Sequence, residues 1–371
     1  MRIGWMYPHR EKCGIAQYSQ DYLLHFPASI DITDLDPPDF ISNREHFIKS
    51  ANQCDIVHIQ YDTTAFFTRR RDFFPDLMKC IVKPAIVTIH DIYKEQPGVF
   101  PRSSLSGSPP VKRFREILYD LRHPFQTAFE QHRRNNFYTR NIHLHHVFHK
   151  AFLENTDISC AIHIIPLPVK LSKQPHNTIK KDTPLLLGTI GFINPLFNYG
   201  LLFEVLKRLN QPWHFTWIGG LRSSEQQPLL DSINRHIHES GWSDRFIITG
   251  WIAEEQLDNH LAALNLSFAL FTQRSSSASI ARALGARLPV VATRLPLTEE
   301  IASFNTIRNA PSPVLLSDSD PSDIINIIND FTTDKTVQKK LEKGIDAYCD
   351  SCSFSNCANE FITLYREIAD Q

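Results

Sequence analysis

The sequence predicts an α/β fold with two parallel sheets, each wound with helices. Short β-rich runs alternate with amphipathic helical stretches along most of the chain, the pattern of parallel strands joined by helical crossovers. The alternation pauses between Pro166 and Pro184, where Pro, Lys, Ser, Gln, Asn and Thr show little periodicity. A chain of 371 residues is too long for one typical core and suits two domains. The expected organisation is an N-terminal Rossmann-like domain over 1–168, a linker over 169–184, a second Rossmann-like domain over 185–350 and a C-terminal helix over 351–371.

In the first half, strands are expected at Arg2–Met6, Asp55–Gln60, Ala85–His90, Ile142–Phe148 and Ala161–Ile165, with helices at Ile15–Phe26 and Lys150–Glu154. The first helix rests on Ile15, Tyr18, Tyr22, Leu23 and Phe26, which share one face at helical spacing. In the second half, strands are expected at Leu185–Thr189, His214–Ile218, Arg245–Thr249, Leu266–Phe271, Pro289–Thr293 and Val314–Leu316. Leu201, Leu202, Val205, Leu206 and Leu209 mark a helix between two of them. Helices near 321–331 and 334–348 follow, and Phe361, Leu364, Tyr365 and Ile368 give the last helix one apolar face.

A formal net charge of -1 and a pI near 7.0 argue against nucleic acid held by a global field, so charge-driven contacts must be local. The cysteines form no regular framework; Cys13, Cys54, Cys80, Cys160 and Cys349 are scattered singly, as reduced thiols of a cytosolic protein would be. The N-terminus enters a strand without an apolar signal core, and no stretch reaches transmembrane length. The expected location is cytoplasmic.

Residues 272–291 combine an apolar strand exit, a Ser-rich turn, a short helix and a second buried strand, the shape of a ligand-binding turn. No acidic residue lies between Asp258 and Glu299, whereas Arg274, Arg282, Arg287 and Arg294 all do. By sequence, an anion bound there meets little opposing charge.

The order of motifs resembles the GT-B-fold glycosyltransferases, specifically the retaining family 4, or glycosyl transferases group 1. The resemblance rests on the turn Cys13–Ser19, on Asp55–Gln60 and Val87–Asp91, and then on Gly188–Pro195, Trp217–Gly220, Ile248–Trp251 and Ala281–Val291. It implies two Rossmann-like domains facing a central cleft, with the C-terminal helix returning to the N-terminal domain. It further implies a metal-independent hexosyltransferase-type enzyme with no required cofactor. Such an enzyme moves a sugar from a nucleoside diphosphate sugar to a glycan, lipid-linked or protein acceptor with retention. His90, Gly14 and Arg274 would be catalytic. The donor would be held by Gly14, Ile15, Asn194, Asn198, Gly219, Gly220, Gly250, Trp251, Arg274, Ser276, Ser277, Ser279 and Arg282.

Two departures bear on this. The family usually carries a Glu-x7-Glu pair around the Ser-rich turn; the matching positions here are Arg274 and Arg282. It also usually carries an Arg and a Lys near the first strand-helix turn of the second domain, and Phe192–Asn198 has neither. One physical reading joins the two losses: Arg274 replaces the missing positive charge, since a guanidinium grips phosphate or carboxylate in a bidentate way. Arg282 would then take the place of the ribose-binding carboxylate. The alternative is that both arginines pair structurally, leaving a non-catalytic GT-B subunit or adaptor.

Other candidates have plainer readings. His90 followed by Asp91 also fits a capping pair. Asp318-Ser-Asp320 matches a metal-binding Asp-x-Asp, but it precedes Pro321 and a helical run, where an N-cap carboxylate is expected. Cys349, Cys352 and Cys357 have no His or fourth Cys nearby to complete a zinc set.

The insertion over about 94–140 carries Arg102, Lys112, Arg113, Arg115, Arg122, Arg133 and Arg134, and Arg69-Arg70-Arg71 adds to the basic surface if it folds nearby. Within it Val111, Phe114, Leu118 and Leu121 form one helical stripe. The pattern fits a helix packed on the N-terminal domain with a solvated basic face. It is also compatible with a peripheral contact through 102–122 with an anionic inner membrane face.

Overall fold

The computed structural model describes residues 1–10, 13–62, 65–68, 71–90, 110–111, 113–122, 124–125, 142–151, 161–174, 179, 183–222, 224–274 and 276–370. Among the expectations above, Arg69, Arg70, Asp91, Arg102, Lys112, Arg133, Arg134, Cys160, most of the 94–140 insertion, most of the Lys150–Glu154 helix and part of the linker lie outside them. The chain divides into two compact units, Met1–Pro166 with Phe354–Gln371, and Leu167–Ser353.

The first unit contains β1 (Arg2–Met6), α1 (Gly14–Leu23), β2 (Asp31–Leu35), α2 (Asp39–Ser42), α3 (Arg44–Asn52), β3 (Ile56–Tyr61), the short hairpin β4 (Phe67–Thr68) and β5 (Arg71–Asp72), α4 (Phe74–Met78) and β6 (Ala85–Ile89). Helical residues within 110–125, here α5, precede β7 (Leu144–Val147) and β8 (Ile162–Ile164). Its sheet runs β2-β1-β3-β6-β7-β8, with every pairing parallel. β3 and β6 are buried along their whole length, as parallel strands covered on both faces must be. β2 is the strand that the sequence reading missed: Asp-Ile-Thr-Asp-Leu lies at the sheet edge, mostly unburied, and carries little apolar signal. Helix α1 stops at Leu23 rather than Phe26, yet Phe26 still packs edge-on against Trp5.

The second unit contains β9 (Leu185–Ile190), α6 (Tyr199–Arg208), β10 (Trp213–Ile218), α7 (Gln227–Glu239), β11 (Phe246–Ile248), α8 (Glu254–Ala263), β12 (Leu266–Ala269), α9 (Ala278–Gly285), β13 (Val290–Thr293), α10 (Pro296–Ser303), β14 (Leu315–Ser317), α11 (Pro321–Thr333) and α12 (Lys335–Ser351). Its sheet order is β11-β10-β9-β12-β13-β14, again all parallel. Residues 167–172 are tied into this unit: Val169 N donates to Cys352 O at 2.8 Å and Ser172 N to Gly285 O at 2.9 Å.

The last helix, α13 (Phe354–Ala369), belongs to the first unit. Its aromatic face meets α1 and the sheet, with Phe361 against Trp5, Tyr22, His58 and His146. A buried hydrogen-bonded chain runs beneath it from Tyr365 to His58, on to Thr88 and His146, and ends at the carbonyl of Ile165.

Candidate functional site

In a parallel sheet, ligands bind beyond the carboxyl ends of the strands, where the strand order reverses. In the second unit the reversal falls between β9 and β12. The loops leaving those two strands are Gly191–Asn198 and the Ser-rich turn. They are stitched together by Asn198 N to Leu270 O (2.7 Å), Thr272 N to Leu196 O (2.8 Å) and a Phe197–Phe271 bridge.

The neighbouring strand exits are walled by glycine because backbone packs on backbone there. Gly219 has φ +141°, and a Cβ on it would lie 2.2 Å from Gly191 O. A Cβ on Gly220 would lie 3.1 Å from the Cα of Gly250. At Gly219 only glycine fits, and at Gly220 a side chain would have to displace the neighbouring backbone. Gly191 itself, absent from the sequence-derived set though quoted in its motif, has φ +124°, and its carbonyl accepts from Trp217 Nε1 at 2.9 Å. A Cβ there would lie 2.8 Å from Ser279 Oγ, so the first turn of α9 abuts the exit of β9. Ser277 is the N-cap of α9, accepting from Ile280 N at 3.3 Å, and Ser276 is half-buried beside it. No acidic residue stands in the first turn of α9, which leaves its N-terminal dipole unopposed from within the helix.

Two aromatic rings complete this end. Trp251, half exposed, stacks on Phe192 with centroids 6.0 Å apart and an interplanar angle of 22°. Arg274, in the loop that follows β12, is half-buried with its guanidinium over the Phe271 ring at 4.8 Å.

Asn194 and Asn198 lie at the switch point, but their side chains hold the loop itself. Asn194 donates to Phe192 O at 3.0 Å and accepts from Leu196 N at 2.9 Å. Asn198 caps α6 by accepting from Leu201 N at 3.0 Å. Arg282 differs most from the sequence reading. Its Nη2 sits 2.8 Å from Glu254 and 2.9 Å from Asp258, and Lys170 Nζ reaches the same Glu254 oxygen at 3.0 Å. The low opposing charge inferred from the Asp258–Glu299 gap is thus corrected at this position, because α8 brings two carboxylates to the arginine from outside the gap. Arg287 pairs with Asp346, and Arg294 with Asp318 and Glu299.

In the first unit the strand order reverses between β1 and β3. Gly14 opens α1 there, with Ile15 next to it; a Cβ on Gly14 would meet no protein atom within 4 Å, so packing inside the chain does not demand glycine. His90 follows β6. Tyr18 of α1 meets it edge-on at 4.9 Å and Phe148 at 5.1 Å. Burial lowers its pKa from 6.5 to about 3, so the ring is neutral at physiological pH. Its Nε2 lies 2.9 Å from Gln60 Oε1; the amide oxygen can only accept, so Nε2 carries the proton and Nδ1 is left an acceptor. This suits a partner for hydroxyl groups, not a proton donor.

Asp320 is an N-cap, accepting from Ser322 N at 2.7 Å and Asp323 N at 3.2 Å, while Asp318 takes Arg294. Cys349 and Cys357 are buried and donate to the carbonyls of Leu284 and Pro166. No cluster of metal-binding side chains occurs among the described residues.

Residues 185–334 match the family model described as Glycosyl transferases group 1. No curated protein matches the chain in sequence. Among solved structures it is similar to Anabaena HepE in complex with UDP and glucose, with a TM-score of 0.66 and 12% identity over 99% of this chain and 100% of that one. It is also similar to sucrose-phosphate synthase from Thermosynechococcus elongatus, at a TM-score of 0.64 and 14% identity over 99% and 98% of the two chains. A third is the lipopolysaccharide outer core galactosyltransferase WaaB in its apo form, at 0.59 and 12% over 99% of each. The fold is that of the GT-B glycosyltransferases.

Proposed function

We propose that the protein transfers a sugar from a nucleoside diphosphate sugar to a glycan, lipid-linked or protein acceptor, with retention of configuration and without a metal, at the inner side of the membrane. The observation that carries this is the second unit's switch point: glycine-walled strand exits, the Phe192–Trp251 pair and the capped N-terminus of α9 converge there, with Arg274 on the adjoining loop. HepE, which shares this fold, binds UDP and glucose.

In the reaction the bond from the anomeric carbon to the diphosphate breaks and a bond to the acceptor oxygen forms. The acceptor's proton leaves with the diphosphate. The protein's task is to hold the charge that develops on the leaving oxygens, which backbone N–H groups and a guanidinium do in a fixed site. Arg274 is assigned to the diphosphate, Trp251 and the glycine turns to the nucleoside, and His90 with the Gly14 turn to orienting hydroxyl groups. Arg282 is assigned to positioning, since its charge is spent on Glu254 and Asp258.

The test is a thermal-shift series of the full chain against nucleoside diphosphates and their sugars, with and without EDTA. A ligand at about one hundred times its Kd stabilises the folded state by about 2.7 kcal/mol. A shift with one nucleotide that survives EDTA and disappears in Arg274→Ala is expected. No shift with any nucleotide would overturn the reading, and an unchanged shift in Arg274→Ala would remove that residue's role.

A further inference from the structure

Among the described residues, most exposed large apolar side chains stand singly, as is ordinary on a protein surface. Helix α5 is different. Val111 is 44% exposed, Phe114 63%, Ile117 53%, Leu121 63% and Phe125 79%, all within fifteen residues of chain. At about 100° per residue, Phe114, Ile117, Leu118 and Leu121 of the continuous helical run 113–122 fall within an arc of about 100° on one side of the helix. Arg113 borders the arc on one edge, and Arg115 and Arg122 border it on the other. Glu116 and Asp120 lie on the opposite side. Phe114 and Leu121 of the expected stripe are therefore exposed together with Ile117, while Leu118 is half-buried. Its exposure does not fit the reading in which the helix buries this face against the N-terminal domain.

We propose that α5 is an interfacial helix that lays its Phe114–Leu121 face into the surface of an anionic lipid bilayer. The choice of occupant follows from the charge pattern. A stripe edged by arginines on both sides with its acids turned away places cations at headgroup depth when the apolar residues enter the acyl boundary. Pairing of two copies through the same stripe would bring the bordering arginines of each against those of the other, a repulsive arrangement in a two-fold contact. No helix of the described residues is long and apolar enough to cross a membrane, so the contact lies on the surface. The inference rests on the membrane location proposed above and is independent of the nucleotide-binding turn, which is in the other unit.

The full chain is sedimented with vesicles of phosphatidylcholine alone and of phosphatidylcholine with phosphatidylglycerol. Binding to the anionic vesicles that weakens with salt is expected, with little binding to neutral ones. Phe114→Glu with Leu121→Glu should abolish it. Arg113→Gln with Arg122→Gln should weaken it by roughly fivefold for each arginine removed. The four positions are exposed, so both variants should keep the parent melting temperature and its nucleotide-induced shift; that comparison separates loss of docking from loss of fold or donor site. Equal binding by Phe114→Glu/Leu121→Glu, no binding to anionic vesicles, or a dimer in sedimentation velocity that this variant dissolves would each overturn the proposal.

Discussion

Arg282 Nη2 contacts two carboxylates, its side chain is only 12% exposed, and one of those carboxylates is shared with Lys170. The cluster is alternating in sign, which is how a partly buried guanidinium is tolerated. Removing the arginine leaves Glu254 and Asp258 facing each other with Lys170 as the remaining cation of the cluster. Because both acids are partly solvated, the loss is expected to be about 2 kcal/mol, below the value for a fully buried pair. Arg282→Ala should lower the urea midpoint accordingly, and Arg282→Glu should lower it further by adding a third acid. A midpoint within error of the parent in both would show that the cluster is a surface arrangement of no consequence.

At the scale of elements, the chain beneath α13 has a direction that one carbonyl sets. Ile165 O can only accept, so His146 Nε2 carries its proton. Burial keeps His146 neutral, so its Nδ1 accepts from the Thr88 hydroxyl at 2.9 Å. Thr88 oxygen in turn accepts from His58 Nε2 at 2.6 Å, and His58 Nδ1 accepts from the Tyr365 hydroxyl. Every tautomer follows from the end of the chain. Tyr365→Phe removes the first donor and leaves a buried imidazole nitrogen without a partner, at a cost of about 1–3 kcal/mol. The expected result is a lower melting temperature and faster amide exchange along α13, while His58→Phe in the same background should add less than it does alone. Strict additivity would show that the residues do not act as a chain.

For the whole molecule, the buried histidines make stability depend on pH. Burial lowers His90 and His146 to about 3 and His145 to about 4, and it pushes His58 well down as well. The unfolded chain takes up protons as pH falls through the ordinary value of 6.5, whereas the folded chain does so only near 3–4. The stability these groups contribute is therefore complete above about pH 7 and is lost progressively below 6.5. At pH 5 each would cost on the order of 2 kcal/mol, so together they rival a typical net stability. Urea unfolding should show a flat midpoint above pH 7 and a steep fall between pH 6 and 4.5. A midpoint unchanged over that lower range would contradict the buried neutral state of this group.

What the sequence by itself determined is whatever is local. Periodicity and β-rich runs located β1, β3, β6 and the strands of the second unit to within a residue or two, and for β3 and β6 the reason is burial on both faces, which forces an apolar run. The glycines that close the strand exits, and the capping role of Asp320 before Pro321, were legible for the same reason. Tertiary structure decided the rest. Strand order, and with it the switch point, depends on which crossover goes to which side of a sheet, and edge strand β2 had too little apolar signal to be found. The side chains of Asn194 and Asn198 turned out to close their own loop and helix cap. The sequence around Arg282 shows a window without acids, yet α8 packs two carboxylates against it. Charge compensation acts through space over a few ångströms, and only the packing of one helix on another brings residues so far apart in sequence within that distance.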